Sequence, residues 1–214
     1  AARLDLPGLP WRHMWQDISD ALDDDADNGN NRIDVAESLN ERLGGEAFPF
    51  WGNVREEERP FLRRRGRRPH AKGDLTEWRA CDRRGKTTSS VWQLAGNGSV
   101  GSQVLTGIPR VWQLRTDPRL AMDSQIWPFE TGLAHDQRAR IVFTEVYPSL
   151  LTPTPESGLV KDARQVRTTA EHFATLDAKG ELEPLFAGDP NLDDFERNAI
   201  VREEAWILGV TEQL

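Results

Sequence analysis

A glutamate lies within an otherwise apolar run near the middle of the chain, residues 141–147 (Ile-Val-Phe-Thr-Glu-Val-Tyr). In a β-strand, alternation places Glu145 on the same face as Ile141, Phe143 and Tyr147. A charge at a core-facing position costs several kcal/mol unless it is paired or binds a metal ion. Three interpretations follow: a functional carboxylate, an exposed residue of an edge strand, or a carboxylate satisfied by one arginine.

Two adjacent acids, Glu203 and Glu204, lie in a second apolar region, where the pattern predicts a helix over about 192–210. Each acid then has apolar residues three and four positions away on both sides, so we expect at least one to face inward. Divalent cations prefer hard oxygen ligands and activate water for phosphodiester hydrolysis. We therefore predict that Glu145 and Glu204 are ligands of Mg²⁺ or Mn²⁺, with Glu203 as a helper or alternate ligand.

A glycine-rich segment follows a short apolar run, and Gly96, Gly98 and Gly101 match the spacing G-x-G-x-x-G. This spacing lets backbone amides approach a pyrophosphate at the start of a helix. The next helix is expected to be interrupted early, at residues 107–109 (Gly-Ile-Pro). Two interpretations stay open, a phosphate or nucleotide contact and close helix packing that only glycine permits.

Residues 55–90 are basic, with twelve Lys/Arg and six Asp/Glu, whereas residues 1–54 hold four and eleven. The centre of this segment is the arginine run, defined as Arg63, Arg64, Arg65, Arg67 and Arg68. Such a run attracts anionic partners, so nucleic acid is a candidate partner, while the alternative is a solvated loop between prolines and glycines.

The remaining elements follow from apolar periodicity and from helix-breaking residues. Pro10 favours the first turn of one helix, and a second helix is expected from about Asn31 to Gly44-Gly45. Between these helices, residues 23–37 are rich in acids but fit no calcium-loop register, so we interpret them as an acidic turn. Strands are expected over 125–127 and 140–147, and another helix over 162–178.

Composition narrows the class of protein. The 214 residues have a net charge of −8 and contain a single cysteine, which rules out an internal disulfide and a cysteine-based zinc site. No apolar stretch reaches the roughly 18 residues that a membrane span needs, and the N-terminus lacks the pattern of a secretory signal. A cytoplasmic protein without a membrane partner is therefore expected, and its oligomeric state is left undecided.

Several strings resemble, taken together, a bacterial family related to the predicted nucleases of domain-of-unknown-function family 429. They cover nearly the whole chain from about residue 8: residues 30–33 (NNRI), 49–52 (PFWG), 91–94 (VWQL), 98–103 (GSVGSQ), 106–109 (TGIP), 127–132 (WPFETG), 145–148 (EVYP) and 203–210 (EEAWILGV). Some members of that family carry labels as cobalamin or molybdopterin cofactor biosynthesis proteins.

The resemblance implies an α/β, ribonuclease-H-like mixed sheet with flanking helices and acids at strand and helix ends. Glu145 and the pair Glu203-Glu204 are the matching positions. Folds of this kind begin with a three-stranded meander that supplies a metal-binding aspartate, and no segment before residue 90 has that pattern. Together with the absent initiator methionine, this predicts a fragment that lacks its N-terminal strands and is inactive as given.

The predicted organisation is one domain over 1–214, helix-rich as given and part of a larger domain. It has a helical pair over 1–45, a long basic connection over 46–90, and an α/β part with the acidic site over 91–214. The predicted function is metal-dependent phosphodiester hydrolysis. The alternative is a non-catalytic protein that binds a nucleotide or pterin phosphate through residues 96–101 and is linked to cofactor biosynthesis.

Overall fold

The computed structural model describes residues 9–27, 29–55, 57–85, 89–153 and 158–211. Its fold is mixed α/β and rich in helix, as expected. The α-helices and strands in chain order are α1 (Pro10–Ala21), α2 (Arg32–Gly44), α3 (Ala80–Arg84), α4 (Gly101–Thr116), β1 (Ser124–Ile126), β2 (Ile141–Phe143), α5 (Lys161–Lys179) and α6 (Asp194–Ala199). Short 3-10 helices cover Pro148–Leu150 and Glu183–Ala187.

The chain divides into two compact units, one of Ala1–Arg83 with Thr88–Met122 and one of Arg84–Thr87 with Asp123–Leu214. The predicted organisation, a single domain over 1–214 with segments that meet near residues 45 and 90, stays a prediction. Within the described residues, no helix combines the length and the apolar character that crossing a membrane requires.

The first unit is built on α1, α2 and α4. Pro10 occupies the first turn of α1, and α2 ends where Gly45 adopts φ 67°, so both predicted boundaries are confirmed. The core combines apolar side chains of the helices with those of the long connection, namely Ile18, Ile33, Val35, Ala36, Leu39, Phe50, Leu62, Leu94 and Leu105.

Buried Asn40 ties the connection to α2. Its Nδ2 donates to the carbonyls of Phe50 (2.9 Å) and Phe61 (2.7 Å), and its Oδ1 accepts the Phe50 N–H (2.9 Å). These bonds satisfy backbone groups that a loop crossing the core would otherwise leave without partners. The long segment that lacks regular structure before α3 is therefore anchored at defined points.

Helix α4 continues through Pro109, so the expected interruption at residues 107–109 is wrong. A proline removes one hydrogen bond of the helix, but packing on both sides holds the element together. Leu105 is fully buried before the proline, and Trp112 is buried after it, with Nε1 donating to Gln16 at 2.9 Å.

The second unit contains a two-stranded parallel sheet in which Ser124, Gln125 and Ile126 pair with Ile141, Val142 and Phe143. Strand β1 has the predicted length of three residues and begins one residue earlier than predicted, whereas β2 has three residues instead of the predicted eight. On the other side of β1, the Glu130 carboxylate accepts the Ile126 N–H (2.7 Å) and the Glu130 N–H donates to the Ile126 carbonyl (2.9 Å).

The helices of the second unit differ from expectation in two respects. Helix α5 has the predicted extent, yet Val166 on its predicted apolar face is 66% exposed. The predicted helix over 192–210 is wrong beyond residue 204. Helix α6 passes into a π-helical turn, Ile200–Glu204, and the helical backbone ends there because Ala205 adopts φ 61°.

Candidate acidic site

Glu145 lies two residues after the end of β2. At this position the backbone of the chain pairs with one other residue. It forms an isolated parallel bridge with Ile207, and its carbonyl accepts the Leu208 N–H at 2.9 Å. The two segments are separated by about sixty residues of sequence, so this pairing is a tertiary contact that the local pattern did not specify.

The side chain of Glu145 is exposed, so the expectation that it faces the core is wrong. Period-two alternation holds only while a strand is regular, and β2 ends at Phe143. The apolar residues on either side are half-buried or exposed as well, because β2 itself has no buried residue. The premise of a core-facing carboxylate is therefore wrong, and a functional role of Glu145 stays a prediction.

Glu203 and Glu204 lie in the π-helical turn that follows α6. The turn is anchored by Ile200, which is fully buried and whose carbonyl accepts the Ala205 N–H at 3.1 Å. Glu203 is exposed and Glu204 is half-buried. The helical contacts expected with residues 206–208 are absent, since the helix has ended before those residues.

Ala205 connects Glu204 to the strand-like segment and has an unusual backbone conformation, φ 61° and ψ −173°. This region of backbone space is occupied almost only by glycine, and a residue with a Cβ there stores on the order of 1–3 kcal/mol. Trp206 and Ile207 are buried immediately afterwards and hold the conformation. Nothing in the local sequence marked this position.

The backbone thus brings the Glu145 segment beside the segment that begins three residues after Glu204. The described residues contain no group of three or more His, Cys, Asp or Glu side chains placed to hold a metal ion. The structure therefore pairs the backbones of two segments that adjoin the predicted acids, and metal binding by Glu145 and Glu204 stays a prediction.

Packing or backbone conformation explains each glycine of the segment that leads into α4. A Cβ on Gly101 would lie 2.6 Å from the Val91 carbonyl oxygen and 2.7 Å from that of Gln93. The Gly101 N–H already donates to the Gln93 carbonyl at 2.9 Å. Gly96 and Gly98 adopt φ 93° and 75°, which favour glycine. Phosphate binding by Gly96, Gly98 and Gly101 stays a prediction.

The five residues of the arginine run divide into two groups. Arg67 forms an ion pair with Glu77, and Arg68 pairs with Asp74 (2.6 Å) and Glu46 (3.0 Å). Carboxylates of Asp74 and Glu46 raise the pKa of Arg68. Arg63, Arg64 and Arg65 are exposed, and within the described part of the chain their side chains have no hydrogen-bond or ion-pair partner.

The acidic turn between α1 and α2 is closed by its own side chains. Oδ1 of Asp25 accepts the backbone N–H groups of Asp27 (2.9 Å) and Gly29 (2.6 Å). Asn31 accepts the Asp23 N–H at 2.8 Å, and Asp24 forms an ion pair with Arg110. The interpretation as a helix-to-helix turn is confirmed.

A buried ionic cluster in the second unit was not predicted. Arg84 contacts the fully buried Asp189 and the half-buried Glu196. Its guanidinium carbon also lies 5.5 Å from the ring centroid of Trp206. In the sequence, Arg84 belongs to the basic segment 55–90. More than one hundred residues separate it from these acids, so the sequence did not predict the pairing.

Comparison of the chain with family models, with curated proteins and with solved structures finds no match. The resemblance to predicted nucleases therefore stays a prediction that rests on the strings quoted above.

Proposed function

We propose that the protein is related to metal-dependent nucleases and that its acidic site contributes to phosphodiester hydrolysis with Mg²⁺ or Mn²⁺. Glu145 and Glu204 are the proposed ligands, and Glu203 is their helper or alternate. The observation that carries the proposal is the pairing of Glu145 with Ile207 and Leu208, because it joins the two acidic segments through the backbone.

The donor set is compatible with these ions. Mg²⁺ commonly keeps several waters and binds through one or two carboxylates together with substrate phosphate oxygens. Both proposed ligands are carboxylates, and neither Glu145 nor Glu204 is fully buried, so water and phosphate could complete the coordination. A bound ion of this kind acts as a Lewis acid toward phosphoryl oxygen and lowers the pKa of bound water.

The strain at Ala205 also supports the proposal. Backbone outliers cluster at functional sites, where the surrounding structure holds them in place. Ala205 directly follows Glu204 and directly precedes the buried Trp206, so the outlier determines how Glu204 is presented.

We propose a ribonuclease-H-like architecture for the second unit as the finer description of its fold. The mixed α/β character and the parallel pairing of β1 with β2 are compatible with such a sheet. The proposed architecture requires further strands beside this pair. A crystal structure would test it, and a sheet with only antiparallel neighbours beside β1 and β2 would contradict it.

Paramagnetic Mn²⁺ tests the acidic site directly. We expect Mn²⁺ to broaden the amide NMR signals of residues 145 and 208 before those of other residues, and to do so with at least tenfold weaker affinity in Glu145→Gln and Glu204→Gln. Glu171→Gln is the matched control, because Glu171 is an exposed acid on α5. Equal broadening in wild type and both variants would overturn the proposed site.

The second candidate function, binding of a nucleotide or pterin phosphate at residues 96–101, has a separate readout. Hydrogen exchange of these amides in the presence of a nucleotide and EDTA would show protection if the glycine segment held the phosphate. Protection that is independent of metal and unaffected by Glu145→Gln would favour this function over hydrolysis.

A further inference from the structure

Three consecutive arginines of the first unit are exposed, and the proposed hydrolysis does not use them. We infer that Arg63, Arg64 and Arg65 bind the phosphodiester backbone of a single-stranded nucleic acid. The inference rests on the first unit alone and is independent of the acidic site of the second unit.

Three neighbouring arginines differ from this triplet because carboxylates neutralise their charge. Arg59 is only 10% exposed and pairs with Glu37 (2.6 Å) and Asp34 (2.7 Å). Arg67 and Arg68 have carboxylate partners, and the guanidinium of Arg68 also lies 3.8 Å from the ring centroid of Phe48. Within the described part of the chain, positions 63–65 are therefore three consecutive cations without a carboxylate partner.

The chain that carries these arginines is fixed at its base. The carbonyl of Arg63 accepts the backbone N–H groups of Gly52 (2.9 Å) and Asn53 (3.1 Å). Leu62, directly before it, is 1% exposed and belongs to the core, and Asn40 holds the carbonyl of Phe61. The three side chains thus extend from a backbone with a defined position, which reduces the ordering cost of binding.

Guanidinium chemistry favours phosphate over other anions. An arginine presents a planar set of donors that matches phosphate oxygens in a bidentate way, whereas lysine acts as a compact point charge. The chain has 23 arginines and 4 lysines, and the exposed triplet contains arginine only. A triplet of arginines without lysine therefore favours a partner with phosphate groups, whose oxygens have a fixed geometry.

The extent of the surface favours one strand rather than a duplex. Three consecutive residues span about 10 Å of chain at most, which suffices for a few successive phosphates of one strand. A single duplex-binding module buries roughly 600–1,000 Å² and needs cations over that whole area. The three exposed arginines alone do not supply cations over such an area.

Salt-dependent binding of a fluorescent single-stranded oligonucleotide in EDTA tests the inference. Each phosphate contact with a single strand adds about 0.7 to the slope of log affinity against log salt concentration. We expect the triple variant R63Q/R64Q/R65Q to lower this slope by about 2 and to weaken binding at least tenfold at low salt.

The matched control is R119Q/R138Q/R140Q, which removes the same charge from arginines that are 86%, 87% and 81% exposed. This control should change the affinity less than threefold. An equal loss in both triple variants would show a general charge effect and would overturn the inference.

Competition experiments identify the class of partner. Unlabelled single strand should displace the probe at lower concentration than duplex of equal length, polyglutamate or vesicles with anionic headgroups. Tighter binding of the duplex, or equal competition by polyglutamate or vesicles, would overturn the assignment to single-stranded nucleic acid. Because EDTA is present throughout, failure here leaves the metal proposal untouched, and failure of Mn²⁺ binding leaves this inference untouched.

Discussion

Nε of Arg84 donates to Oδ2 of Asp189 at 3.1 Å, and the accepting carboxylate is completely buried. Oδ1 of the same carboxylate accepts the Asn191 N–H at 2.8 Å, and Glu196 accepts two further bonds from Arg84 at 3.1 and 2.9 Å. The hydrogen bond with Glu196 is the main cause of a raised pKa of Arg84. The single positive charge of Arg84 thus balances part of the negative charge of two carboxylates, Asp189 and Glu196, within the second unit.

Removal of Arg84 is therefore expected to destabilise the second unit. Arg84→Gln should lower the free energy of unfolding by about 3 kcal/mol, because a buried carboxylate loses its charged partner. Hydrogen exchange of amides in α6 gives the local free energy. Arg138→Gln, at an exposed ion pair, should lower the free energy of unfolding far less than Arg84→Gln does.

The double variant Arg84→Gln/Asp189→Asn distinguishes charge from packing. If the buried charge causes the loss, neutralising Asp189 should recover at least part of it. A double variant less stable than the sum of both single changes would contradict this explanation.

Two glycines of helix α4 are expected to respond in opposite directions to alanine. Gly101→Ala places a Cβ 2.6 Å from a backbone carbonyl oxygen, so the turn must shift and stability should fall by about 2 kcal/mol. Gly107 has no neighbouring atom within 4 Å of such a Cβ, so Gly107→Ala should raise stability by about 1 kcal/mol. Urea unfolding followed by tryptophan fluorescence measures both changes, and equal signs would contradict the described packing.

Replacement of Ala205 by glycine should relieve backbone strain. Ala205→Gly is expected to stabilise the second unit by about 1 kcal/mol, since glycine adopts φ 61° without a Cβ penalty. Ala170→Gly in the exposed part of α5 is the control and should cost about 1 kcal/mol. Thermal unfolding of both variants decides the matter, and destabilisation by Ala205→Gly would show that the conformation is not strained.

Asp117 provides a prediction about pH. Its carboxylate accepts hydrogen bonds from the Arg119 side chain at 2.7 and 3.0 Å and from the Arg119 backbone N–H at 2.8 Å, and these lower the pKa of Asp117 to about 2. A depressed pKa in the folded state contributes stability above the unfolded value of about 3.9. That contribution is lost as the pH falls through about 2.

Carboxyl NMR titration checks this value. The midpoint for Asp117 should lie near 2 in the wild type and should rise toward the ordinary value of about 4 in Arg119→Gln. The carboxyl of Asp136, whose pKa is lowered chiefly by Arg138, should be unaffected by that change. An ordinary wild-type midpoint for Asp117 would show that the ion pair does not persist in solution.

Local signals in the sequence were sufficient to predict the positions of α1, α2 and α5. Pro10 and Gly45 act within one helical turn, so their effect does not depend on the remainder of the chain. Pro109 is also a local signal, yet burial of Leu105 and Trp112 overrides it in α4. The end of the helical backbone at Glu204 has no local signal, because buried Trp206, rather than a glycine or a proline, holds the chain after this residue.

The candidate acidic site was predictable only in its residue types. Apolar neighbours identified Glu145 and Glu204, but the burial inferred from them assumed regular elements that end too early. The pairing that joins their segments depends on a hydrogen bond between Leu208 and Glu145, which no local pattern encodes. The exposed arginine triplet required the structure as well, since only the ion pairs of Arg67 and Arg68 separate it from the rest of the run.

The bonds between Glu130 and Ile126 have a consequence for how the sheet can grow. The unpaired N–H and C=O groups of an edge strand can form hydrogen bonds with a strand of another chain, which leads to aggregation. At Ile126 both groups are already occupied by Glu130 of the same chain. A strand that pairs with β1 on this side must first displace the Glu130 carboxylate. Only a strand that replaces both hydrogen bonds of Ile126 can therefore extend the sheet at this edge.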